Sequence, residues 1–91
     1  MMSWDLEPEK VEVMLRLHDE KELFGDQWDV AVDLIKADLA DLDHSGSVIL
    51  SWEGELAVDK LRRMGGQLER GKAVQVSFSK KEFAEYVNAR I

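Results

Sequence analysis

Two hydrophobic periods share this chain, and their coexistence restricts it to a mixed fold. Between residues 26 and 42, Trp28, Val32, Ile35, Leu39 and Leu42 recur every three or four positions, which stacks them along one face of a helix. Between residues 74 and 78, Val74, Val76 and Phe78 alternate with Gln75 and Ser77, the period of a half-buried strand. With 91 residues and no cysteine, both elements must share one thin core without a disulfide. A chain this short buries only about 60–65 % of its unfolded surface, so few apolar side chains are spare.

Local signals set the expected boundaries. Asp26 suits the N-cap of a helix running to Leu42, and Asp29 adds negative charge where the helix dipole favours it. Asp43-His44-Ser45-Gly46 closes that helix, with Gly46 free to take a positive φ. Ser79-Lys80-Lys81-Glu82 fits a capping box opening a last helix whose stripe is Phe83, Tyr86, Val87 and Ile91. Val48, Ile49 and Leu50 form a second short strand, expected to pair with residues 74–78. Between the strands, Leu56, Ala57, Leu61, Met64 and Leu68 keep helical spacing behind Ser51 as N-cap, and Gly65-Gly66 should weaken or end that helix. Residues 8–24 carry mixed signals. Val11, Val13, Leu15 and Leu17 alternate as in a strand, while Pro8 ahead and Gly25 behind favour a helix. The expected fold is α+β: one compact domain over residues 1–91, with three to four helices on a small two- or three-stranded antiparallel sheet.

Composition narrows the function. Without cysteine, thiol catalysis and Cys-ligated zinc are excluded. Met1-Met2-Ser3-Trp4-Asp5 has neither the basic start nor the apolar run of a signal peptide, and no stretch reaches the ~20 apolar residues of a membrane span. A cytoplasmic location is expected. The net charge of −7 is unevenly placed: residues 1–45 hold thirteen Asp and Glu against four Lys and Arg, and residues 46–91 hold six against eight. That partition disfavours direct nucleic-acid binding and suits a basic protein partner, or solubility alone.

Several motifs look like chemistry and fall short of it. Gly66 to Lys72 matches the spacing of a phosphate-binding GxxxxGK loop, but Ala73 stands where a hydroxyl should hold magnesium, and the helix-then-strand context is inverted. Asp41 to Val48 resembles the first eight positions of a calcium loop of the EF-hand family, with Asp41, Asp43 and Ser45 at positions 1, 3 and 5 and Gly46 at position 6. Position 12, where calcium needs a bidentate glutamate, is Trp52. Asp41, Asp43 and Ser45 are therefore the residues a divalent cation would use, while a polar turn accounts for them equally. His18 and His44 lack metal-site pairing, and consecutive Asp43-His44-Ser45 cannot build a triad, which assembles from separated segments. No catalytic residue, metal or cofactor is expected.

The acidic helix remains. Asp26, Asp29 and Asp33 share one side opposite the apolar stripe, flanked off the stripe by Val30 and Leu34, a combination able to bind a basic, partly apolar protein patch. The plainer account buries Val30 and Leu34 under the first segment and leaves the aspartates to water. The expected function is a small acidic, non-enzymatic protein–protein interaction module. It would act as an inhibitor or regulator, and in its sharper form as a mimic of nucleic-acid charge. A divalent-cation regulator built on the Asp41–Val48 turn and a nucleic-acid binder using the basic second half are the alternatives.

Overall fold

The computed structural model describes residues 1–19, 23, 25–64 and 71–91. Strand β1 (Met2–Leu6) leads into helix α1 (Pro8–Asp19); a 3-10 turn (Gly25–Gln27) opens α2 (Trp28–Lys36). Strands β2 (Ala40–Leu42) and β3 (Val48–Leu50) follow, then α3 (Trp52–Met64), β4 (Val74–Phe78) and α4 (Lys80–Asn88). The class is α+β: four helices pack on two antiparallel sheets of two strands each.

Strand pairing differs from expectation. Val74–Phe78 pairs with Met2–Leu6, placing Trp4 opposite Val76 and Leu6 opposite Val74. Val48–Leu50 pairs instead with Ala40–Leu42, through Ala40 opposite Leu50 and Leu42 opposite Val48. The reason is loop closure. Residues 43–47 return the chain at once, with Gly46 at φ 84 and the Asp43 amide donating to the Ser47 carbonyl. A short loop costs less entropy than a closure to residue 74. The partner of β4 is the N-terminal strand, whose Met2, Trp4 and Leu6 alternate with Ser3 and Asp5.

The second correction is the length of α2, which ends at Lys36 rather than Leu42. Asp38 takes a left-handed φ of 65, and its amide donates to the Ile35 carbonyl while the Leu39 amide reaches the Leu34 carbonyl. That pair of bonds is a Schellman stop, usually built on glycine. The Trp4 indole N–H then donates to the Ala37 carbonyl at 2.8 Å, tying the β1–β4 sheet to the helix end. At the other end the N-cap is Gln27 without a side-chain cap, and Asp26 sits within the 3-10 turn.

Residues 8–19 are helical. Pro8 occupies the first turn, where its missing N–H costs nothing, and the Glu7 carbonyl accepts from the Lys10 and Val11 amides. Val13, Met14 and Leu17 are its buried side, so helical packing overrides the alternation. Ser51 caps α3 as expected: its hydroxyl accepts from the Gly54 amide at 3.1 Å and donates to the Asp38 carbonyl at 2.7 Å. Gly65, Gly66 and Leu68 lie outside the described residues.

One core joins these elements. Leu6, Val13, Met14, Leu34, Leu39, Leu61, Val76 and Phe78 are among its most deeply buried members. The Phe78 ring lies 5.2 Å from Trp4 and 6.1 Å from Phe83, so α4 is seated on the β1–β4 sheet through aromatic contact.

Candidate functional site

Helix α2 buries a face turned roughly 100° from the one its sequence period suggests, with Ile35 shared between the two. Ala31 and Leu34 are fully buried, Val30 and Ile35 half-buried, whereas Trp28 is 45 % and Val32 44 % exposed. The apolar stripe drawn from Trp28 through Leu42 took its phase from Leu39 and Leu42, which lie beyond the helix. Leu39 is buried in the connection after Asp38, and Leu42 is exposed in β2. Without those two, the nine-residue helix turns Ala31 and Leu34 toward α1 and the core.

The expected partner-binding set therefore splits. Asp26, Asp29 and Asp33 are exposed, as their charge requires. Leu34 is buried and can touch no partner; Val30 is half-buried against the core. The apolar residues that accompany the aspartates outward are Trp28 and Val32, four apart on one helical row, with Lys36 continuing it. Trp28 also lines a hollow of about 340 Å³ with Leu17, Leu23 and Val48. Among the described residues, Asp26, Asp29 and Asp33 make no ion pair.

The Asp41–Val48 segment is a hairpin turn rather than the exit of a helix. One Asp43 carboxylate oxygen accepts from the Ser45 amide at 2.9 Å, the Ser45 hydroxyl at 2.7 Å and the Ser47 amide at 2.9 Å. Those bonds, the Ser45 hydroxyl first, hold the Asp43 carboxyl below the ordinary aspartate value. Asp41 lies in β2 opposite Ile49. Among the described residues no three His, Asp or Glu side chains gather where a metal ion could sit. The GxxxxGK segment falls mostly outside the described residues; within them, Gly71 has a φ of 79 and Lys72 is exposed.

Elsewhere, charges meet in pairs that fasten elements together. The His18 ring bonds the Asp19 carboxylate at 3.0 Å, and Arg62 reaches the same carboxylate from α3. Both partners, His18 foremost, depress the Asp19 carboxyl. Lys60 bonds Glu82 at 2.8 Å and the Ser77 carbonyl at 2.9 Å, joining α3 to α4 and β4, and lowers the Glu82 carboxyl. Arg63 pairs with Asp59 at 2.8 Å. These pairs link α1 to α3, and α3 to β4 and α4.

Sequence reasoning missed Trp28 and Val32 as surface residues. Finding them required the helix end at Asp38, which no local residue signals. Compared with protein-family models, curated proteins and solved structures, the chain matches none.

Proposed function

We propose that the chain is a non-enzymatic protein–protein interaction module, an inhibitor or regulator that binds a basic partner surface through the outer face of α2. The observation that carries this reading is a tryptophan and a valine left outward beside three aspartates that make no ion pair among the described residues. An exposed aromatic with charged residues at its margin is usual at a contact centre, and here the aspartates lie to one side of the Trp28–Val32–Lys36 row. Trp28 and Val32 would supply residence time, and Asp26, Asp29 and Asp33 would steer the encounter. Occupation of a basic groove otherwise filled by nucleic acid is the sharper form of this role.

The test is surface-plasmon kinetics against a basic partner captured from host lysate. Asp29→Lys with Asp33→Lys should slow association, and wild-type association should fall as salt exceeds about 0.15 M, where screening reaches ~8 Å. Trp28→Ala should speed dissociation by about tenfold or more, as for an aromatic anchor worth over 1.4 kcal/mol. Kinetics unmoved by all three changes would remove α2 as the contact.

A further inference from the structure

Strand β3 has a free edge, and the hydrogen bonds that close its hairpin fix which residues face it. The Asp43 amide donates to the Ser47 carbonyl, and the Ser51 amide donates to the Leu39 carbonyl. Bonded positions alternate along an antiparallel pair, so Asp41 and Ile49, midway between those two, exchange bonds as well. Val48 and Leu50 therefore turn their main-chain N–H and C=O groups away from β2. Among the described residues neither finds another hydrogen-bond partner there. The strand carries none of the lysine, proline or bulge that commonly blunts an edge.

Two hollows of about 340 and 390 Å³ lie along this edge and adjoin, because Leu17, Ser47 and Val48 line both. Leu23 and Trp28 wall the first; His18, Asp43, Leu50 and Glu55 wall the second. The charged or titratable groups lining them are two carboxylates and one imidazole, whose Nδ1 is bonded to Asp19. Arg62 is engaged by that same Asp19. We propose that this groove takes an extended peptide from a basic partner as a third strand beside β3, with apolar residues alternating with lysine or arginine. Its main chain supplies the partners that Val48 and Leu50 lack, the source of affinity in strand addition, while alternate side chains give the specificity. Apolar side chains rest on Leu17 and Val48, and basic ones reach Asp43 and Glu55. Residues 47–50 span about 13 Å at ~3.3 Å per residue, a length that matches about four residues of the incoming strand. The site goes beyond the outer face of α2 and borders it at Trp28.

Hydrogen exchange followed by NMR on the full chain tests this, with a blocked synthetic hexapeptide of alternating valine and lysine as the probe. In the free chain the Val48 and Leu50 amides should exchange faster than the Ile49 amide. Peptide at about ten times its Kd should slow both by about tenfold. Of the two forms of the peptide N-methylated at alternate residues, the one that loses the donors facing β3 should bind about tenfold or more weakly, although its charge is unchanged. Glu55→Lys, shown to be folded by circular dichroism, should weaken the parent peptide about threefold to tenfold. No slowing at peptide concentrations up to about 10 mM overturns the proposal. Equal binding by the parent and both methylated forms overturns strand addition, and equal binding by the peptide with glutamate in place of lysine overturns the basic occupant. Exchange at Val48 and Leu50 that slows with protein concentration alone assigns the edge to a second copy of the chain and overturns the proposal too.

Discussion

Helices α2 and α4 are each nine residues long, and the sequence describes them unequally well. At α4 the starting signals are local, although the stripe expected to reach Ile91 stops short, with the helix ending at Asn88 and Ile91 exposed. Ser79 sits at the N-cap, its hydroxyl accepts from the Glu82 amide at 3.1 Å, and the preceding strand ends at Phe78 as its alternation says. At α2 the decisive residues are distant. The helix stops because Asp38 turns left-handed, Ser51 from the start of α3 binds the Asp38 carbonyl, and Trp4 from β1 binds the Ala37 carbonyl. Where an element's ends are written in its own side chains, a single sequence is enough; where tertiary contacts impose them, periodicity misleads.

The largest expected contrast lies within α2. Leu34→Ala removes a fully buried side chain and should cost about 2–5 kcal/mol in chemical denaturation, whereas Val32→Ala on the outer face should stay within about 0.5 kcal/mol. Ile35, half-buried, should fall between them. Equal losses at residues 32 and 34 would restore the face drawn from Trp28 to Leu42.

Gly54 carries the next effect. In an exposed helix, alanine for glycine gains about 1 kcal/mol. At this position a Cβ would stand 2.0 Å from the Leu39 carbonyl oxygen, a backbone atom that cannot swing aside. Gly54→Ala should therefore destabilise by about 1–3 kcal/mol or more, inverting the usual sign. Gly25, with nothing within 4 Å of its Cβ position, serves as the control. The close approach packs α3 directly on the connection that ends α2.

Much of the fold was legible because its signals were adjacent in the chain: the α3 cap at Ser51, the β4–α4 junction, the turn at Gly46. Met2–Leu6 alternates as a strand should, yet its partner begins at Val74, and nothing within five residues announces so distant a pairing. Ala40–Leu42 was hidden differently, since Leu39 and Leu42 happen to continue the helical period of the preceding segment. The candidate site was legible for its charges and not for its apolar residues. Aspartates go to water whatever the phase of the helix, whereas the choice between Leu34 and Val32 depends on where α2 ends. At α4, Ser79→Ala should cost about 0.5–2 kcal/mol, the loss of one cap bond, and the helix should keep its register.

Asp38 isolates the remaining difference between the two helices. An L-residue in the left-handed region carries a steric cost of about 1–2 kcal/mol, smaller for aspartate than for branched residues, and glycine carries none. Asp38 is also exposed at the negative end of the α2 dipole, where a carboxylate is unfavourable by roughly 0.3–1 kcal/mol. Its observed structural bonds use backbone atoms only: the amide to the Ile35 carbonyl and the carbonyl accepting from Ser51. Asp38→Gly keeps both bonds while removing strain and charge, so it should stabilise the chain by about 0.5–1 kcal/mol after the added flexibility of the unfolded state is counted. Asp38→Asn keeps a residue that tolerates positive φ and removes the charge alone, so the difference between the two variants measures the backbone contribution. A loss of stability with glycine would mean that the aspartate side chain itself sets the helix end. A gain would mean that α2 stops for tertiary reasons at a residue that does not advertise it, and that glycine at this one position would have made the helix end as readable as the start of α4.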